Sequence, residues 1–189
     1  MVLALLFAAC SEEQGMPTET PNQDTGQPGV RITAGNNVTD TIRARPVQAL
    51  TVVVRQPDGA LAVGATVRFQ SLATQNQNQF QPPVLVAPLS STDFQTFAAD
   101  TTDATGTAAV VLGFSVSAGA GMVQVTVPQF GFADTARYTV VPGSPARVIA
   151  TPADTQVTAG SEVQVRVVVQ DAFGNLPQSL GRFHKSASR

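Results

Sequence analysis

Thr102-Asp103-Ala104-Thr105-Gly106, followed by Thr107-Ala108-Ala109-Val110-Val111-Leu112-Gly113-Phe114, is the stretch whose reading decides the fold. Asp and Gly mark a tight turn, and the residues after it are small or β-branched with no charge among them. A second turn over Ser117 to Gly121 leads to Val123, Val125 and Val127, separated by Gln124 and Thr126. A third run, Ala136 to Val141, ends at Pro142-Gly143. Apolar residues at every other position place one face of each run in a core and the other in water, as in antiparallel strands. An all-β chain built as a β-sandwich is therefore expected.

Working outward, the same pattern recurs upstream. Val30-Arg31-Ile32-Thr33 reads as a first strand and Asn36-Asn37 as a turn. Leu50, Val52 and Val54 share one face of the next strand, opposite Val53. Pro57-Asp58-Gly59 is a turn in which Pro presets its φ and Gly admits a positive one. Ala65, Val67 and Phe69 point inward on the strand after it. From Gln70 to Ala99 the alternation loosens: Gln75-Asn76-Gln77-Asn78-Gln79 is low-complexity, and Pro82-Pro83 excludes a central strand. Val84-Leu85-Val86 and Phe94 to Phe97 read as short edge strands beside it. A loop of this length offers a candidate contact surface, carried by Phe80, Phe94 and Phe97.

The bulk composition narrows the function. A hydrophobic share of 43% is enough for a core, while charged residues at 13% fall well below the ~25% usual for soluble domains. The net charge is −2 and the arginines are scattered singly, so no basic stripe is present to track a phosphate backbone, and nucleic acid is not an expected partner. One cysteine allows no internal disulfide.

Catalytic chemistry finds little to work with. The only histidine, His184, stands beside the only lysine, Lys185, in a C-terminal tail of different composition, so a nucleophile has no base placed near it. Cys10 and His184 together are too few for a zinc site. Asp93, Asp100, Asp103 and Asp134 could meet as a carboxylate pair, and Asp100 with Asp103 could serve calcium, but Asp in turns ordinarily caps its own backbone. No enzyme activity, metal or cofactor is expected. Tyr138, the sole tyrosine, is expected to pack in the last strand with its hydroxyl at the edge, and Phe130 and Phe132 to form a hairpin tip folded onto the core.

The N-terminus carries a different signal. Met1-Val2-Leu3-Ala4-Leu5-Leu6-Phe7-Ala8-Ala9-Cys10 is apolar but too short to span a bilayer as a helix, which needs about 20 residues. Two small residues before the single cysteine resemble the lipobox of bacterial lipoproteins, in which the signal is cut before Cys and the thiol is acylated. Phe7 stands where that pattern has Leu, and a plain secretory signal or a frayed N-terminal segment is the alternative. The resemblance implies residues 1–10 as a signal peptide, Cys10 as a lipidation site and membrane anchor, and, with Ser11 following, sorting to the outer membrane. Residues 11–29 are rich in Glu, Gln, Pro, Thr and Asn and have little to bury, so they read as a disordered tether.

Three segments in order then resemble the bacterial immunoglobulin-like domains of the invasin and intimin type, the Big-1 group. These are Gly59-Ala60-Leu61-Ala62-Val63-Gly64-Ala65-Thr66-Val67, Thr102 to Ala108, and Ala120-Gly121-Met122-Val123-Gln124-Val125-Thr126. The resemblance implies an immunoglobulin-like domain over residues 30–143 that acts as a stalk or adhesion segment and has no catalytic residues. A second copy begins at the seam. Pro145 to Ala150 echoes the first strand, Val163 to Val169 echoes Leu50 to Val54, and Asp171-Ala172-Phe173-Gly174-Asn175-Leu176 echoes the turn at Pro57 to Leu61, at a period of roughly 115 residues.

Residues 144–189 are expected to be the truncated start of a second domain with an aberrant tail, since the Gly-Ala-Thr-Val strand does not follow Leu176. Two or three strands bury too little to stand alone. The functional expectation is a non-catalytic cell-envelope lipoprotein that contacts a protein or glycan surface. The alternatives are a carbohydrate-binding module of an extracellular protein, which the absence of Trp opposes, and a non-functional gene fragment of a larger adhesin.

Overall fold

The computed structural model describes residues 26–72, 81–151, 156, 158, 160 and 164–176. Within them the chain is all-β and has no helix. Nine strands build the main body: β1 (Gly29–Ala34), β2 (Val38–Thr41), β3 (Leu50–Arg55), β4 (Thr66–Leu72), β5 (Val84–Pro88), β6 (Phe97–Thr101), β7 (Thr107–Phe114), β8 (Gly119–Val127) and β9 (Phe132–Val141). Two more, β10 (Pro145–Thr151) and β11 (Arg166–Asp171), follow.

The nine strands form two sheets. One has the order β1-β3-β7-β5, antiparallel throughout; the other has the order β2-β9-β8-β4-β6, antiparallel except where β2 runs parallel to β9. Their inner faces share one core, in a β-sandwich-like arrangement. Ile32, Leu50, Val52, Val54, Val110 and Leu112 come from the first sheet, and Val67, Phe69, Val123, Val125, Ala136 and Val140 from the second. These are the alternate positions of the sequence pattern. Each buried Val, Leu or Phe contributes on the order of 1.5–3 kcal/mol, so the period-two pattern supplies most of the driving force.

The turn read at Thr102 to Gly106 is present and heavily bonded. In the turn before β7, Asp103 Oδ1 accepts hydrogen bonds from the backbone N–H of Thr105 (2.8 Å) and Thr107 (3.0 Å) and from the Thr105 hydroxyl (2.7 Å). Those bonds hold its carboxyl below the usual carboxylate value, the Thr105 hydroxyl contributing most. Gly106, at φ 70°, donates its N–H to Asp103 O and accepts from Val54 N, tying the turn to β3. Thr102 is buried and bridges the neighbouring loop: its hydroxyl donates to Ala62 O (2.6 Å) and accepts from Ala65 N (2.8 Å).

Several details differ from the sequence reading. Val38–Thr41 forms a strand, β2, that alternation over four residues did not reveal. The expected strand at Phe94 to Phe97 lies further along, as β6 from Phe97; Gln95 makes only a single bridge to Val86. Tyr138 is buried on β9 edge-on to Phe114, and its hydroxyl does not reach a strand edge: it finds no hydrogen-bond partner among the described residues. Phe130 and Phe132 stack at 5.7 Å between centroids and pack on the core, as a folded-back hairpin tip does.

The strand pair after the seam repeats the first strand pair. In β1 and β3, Val30 faces Val54 and Ile32 faces Val52; in β10 and β11, Val148 faces Val169 and Ala150 faces Val167. The turn that follows is also the same. Gln56 N donates to Ala60 O (2.8 Å) and Gly59 N to Gln56 O (2.9 Å), while Asp171 N donates to Asn175 O (3.0 Å) and Gly174 N to Asp171 O (3.2 Å). One difference is burial. Ile32, Val52 and Val54 lie in the core, whereas Val148 and Val167 are 70% and 59% exposed.

Candidate functional site

The most constrained polar cluster lies where the β11 turn meets the end of the sandwich. Asp171 and Asn175 are 1% and 3% exposed, although both belong to a turn. Buried polar groups are costly unless hydrogen-bonded, and these two are bonded on every side. Asp171 Oδ1 accepts from Phe173 N (2.8 Å) and Asn175 N (2.9 Å); its Oδ2 accepts from Asn175 Nδ2 (2.8 Å) and from Gly143 N (3.0 Å) at the seam. Asn175 then reaches the loop between β7 and β8. Its Nδ2 donates to Val116 O (2.8 Å), and its Oδ1 accepts from Ala118 N (2.9 Å).

The electrostatics follow from this geometry. Desolvation pushes the Asp171 carboxyl up, but the bonds from the Asn175 side chain and from the Gly143, Asn175 and Phe173 amides together outweigh it and leave the group below its ordinary value. The carboxylate is thus held charged by four donors. Beside it, Arg43 donates its N–H to Ser115 O (3.0 Å) and lays its guanidinium over the Phe173 ring, 5.8 Å from the centroid. A cation over an aromatic face at that distance is attractive. Arg43 also has a φ of 62°, a left-handed conformation that costs a non-glycine residue on the order of 1–3 kcal/mol and so has to be held by its surroundings.

Of the sequence-derived contact residues, Phe94 and Phe97 lie against different sheets. Phe80 lies outside the described residues. Phe94 covers the outer side of the first sheet: a Cβ at Gly113 would meet its Cδ1 at 2.7 Å, and the Arg45 guanidinium stands 5.2 Å over its ring. Phe97, 50% exposed, sits on the second sheet beside the inward-facing Ala98.

The four aspartates considered for chemistry do not form a shared site either. Asp93 accepts from Gln95, Asp100 from Thr101 N and Ala109 N, Asp103 from its own turn, and Asp134 from Ile32 N and Thr135 N. Among the described residues no group of three His, Cys, Asp or Glu side chains is placed to hold a metal ion. Cys10, the 11–25 part of the tether and His184 lie outside the described residues.

Sequence reading found the Asp171 to Leu176 turn as a repeat but missed its two side chains as a junction. The available signal was the exchange of Gln56 for Asp171 and of Ala60 for Asn175 between otherwise matching turns. No protein-family model matches this chain, and no curated protein matches it.

Proposed function

We propose that this chain is a non-catalytic cell-envelope lipoprotein, anchored to the membrane through Cys10, whose immunoglobulin-like modules of the Big-1 type act as a structural stalk or adhesion segment. The observation that carries the reading is the repetition of the β1–β3 pairing and its turn in β10 and β11, joined to the first unit across Pro142-Gly143. A stalk needs serial modules with a defined seam, and tandem repetition is how a chain encodes one. The strand orders β1-β3-β7-β5 and β2-β9-β8-β4-β6, with a first segment that switches from one sheet to the other, support the immunoglobulin-like assignment. The segments Gly59–Val67 and Thr102–Ala108, on which the resemblance rests, include the turns that lead into β4 and β7, which supports the reading.

The test is metabolic labelling with a palmitate analogue, comparing the chain with Cys10→Ser and fractionating the membranes. Label that disappears with the substitution is expected, with the protein moving from the membrane to the soluble fraction. Equal labelling of both, or none of either, would remove the anchor from the reading.

A further inference from the structure

The junction is built asymmetrically. On the sandwich side Asp171 and Asn175 meet main-chain groups: Val116 O, Ala118 N and Gly143 N. On the incoming side the groups are two specific side chains, Asp171 and Asn175, held four residues apart by a turn with Gly174 at φ 87°. The matching turn of the first unit has the same backbone, with Gly59 at φ 86°, but carries Gln56 and Ala60 at those places. There Gln56 Nε2 donates to its own loop at Leu61 O, Asp58 Oδ1 caps Ala60 N, and Ala60 is exposed.

We propose that the β7–β8 loop with Gly143 is a main-chain socket for a β-turn of the form Asp-x-x-x-Asn, and that an incoming module carrying this turn is locked to the preceding one in a single orientation. This rests on the reading of modules in series given above. Asn is suited to the role because its amide presents a donor and an acceptor side by side, matching Val116 O and Ala118 N, while its second N–H reaches Asp171. Asp171 ties the same turn to the linker through Gly143, so linker and loop are fixed together. Arg43, stacked on Phe173, adds a contact from a different segment of the socket.

Two consequences follow. The hydrogen-bonding groups named in the socket are backbone, with the Arg43 side chain adding its stacking on Phe173, so a preceding module with this loop shape can serve and specificity lies mainly with the plug. The turn of the first sandwich that matches the plug lacks both side chains, so of the two described units the first is the one that receives.

The experiment uses the full chain, 15N-labelled and partially aligned, with residual dipolar couplings measured for β8–β9 and for β11 and amide exchange for Ala118 and Gly143. The wild type is expected to fit one alignment tensor, with both amides protected. Asp171→Ala/Asn175→Ala is expected to need two tensors and to speed exchange at Ala118 and Gly143 by about tenfold or more, leaving Val110 and Val125 unchanged. Asn175→Asp, which keeps the shape but replaces the donor with a second carboxylate, should behave alike. Gln56→Asp/Ala60→Asn should change neither reading, because Gln56 Nε2 and Asp58 Oδ1 bond within their own loop, away from β11 and the β7–β8 loop. A single tensor and unchanged protection in both junction variants would overturn the lock while leaving the module reading standing. Unprotected β10 and β11 amides in the wild type would overturn both.

Discussion

Gly59 and Gly174 occupy the same place in two copies of one turn, with φ of 86° and 87° and an N–H donated in each case to the carbonyl three residues earlier. The shared backbone shows that the turn itself requires glycine and a closing hydrogen bond, and neither Asp171 nor Asn175. Asp171 Oδ2 and the Asn175 amide reach beyond the turn to Gly143, Val116 and Ala118 instead.

The junction should loosen in acid. Asp171 is held below its ordinary value in the folded chain, so its contribution is fully present above the unfolded carboxylate value of about 4 and is lost as the pH falls through the lower folded value. Amide exchange at Gly143, corrected for its intrinsic pH dependence, should show protection above the ordinary carboxylate value of about 4 and its progressive loss as the pH falls below it. Asp171→Asn should abolish the pH dependence.

Tyr138 should be better replaced. Its hydroxyl is buried without a partner among the described residues, and desolvation raises its pKa so far that it stays protonated in alkaline solution. Tyr138→Phe removes the stranded polar atom while retaining the ring contact with Phe114, and is expected to stabilise the chain by about 1 kcal/mol. The denaturant midpoint should rise with no change in slope; a fall would mean that the hydroxyl is satisfied in solution.

Thr102 should tolerate Ser but not Val. Its hydroxyl both donates to Ala62 O and accepts from Ala65 N in a buried place, so the isosteric Thr102→Val strands two backbone groups and should cost about 1–3 kcal/mol. Thr102→Ser loses only a methyl group, about 0.8 kcal/mol. Equal losses in chemical denaturation would show that the methyl, rather than the hydrogen bonds, matters.

Gly106→Ala should be costly for two reasons that add. The residue has φ 70°, and a Cβ there would come within 2.8 Å of Val54 O. The left-handed conformation alone accounts for about 1–3 kcal/mol, and displacement of β3 adds to it. Loss of protection should appear first at the Val54 amide, which donates to Gly106 O.

Phe69→Ala, at a fully buried position on β4, should cost about 3–5 kcal/mol, because it removes the largest fully buried side chain between the sheets. Thermal unfolding followed by the β8–β9 amides would check it. A loss near 1 kcal/mol would mean that the core closes over the cavity.

How far the sequence could be read depended on whether a feature was local. Leu50, Val52 and Val54, or Val123, Val125 and Val127, declare their inward face because side-chain direction along a strand has a period of two, and every second position is apolar. Asp103 and Gly106 declare a turn because a short acceptor and a residue at ease with positive φ leave few other choices. The repeat at Asp171 to Leu176 was legible for the same reason. Phe94 and Phe97 were not separable by such means: three residues apart in an irregular segment, they end on the outer sides of different sheets because the chain crosses between β5 and β6. Val38–Thr41 escaped because its pairing with β9 joins residues about a hundred positions apart, and four residues carry too little alternation.

The sequence by itself determined that the chain is all-β, which faces of its strands are buried, where its main turns fall and that one turn recurs. Those properties are set by side-chain period and turn chemistry acting over a few residues. Only the tertiary structure decided the strand order, the burial of the Tyr138 hydroxyl and the socket beneath Asp171 and Asn175. The physical reason is that the socket is made of Val116 O, Ala118 N and Gly143 N, and every residue but proline carries those groups, so no choice of side chain announces it.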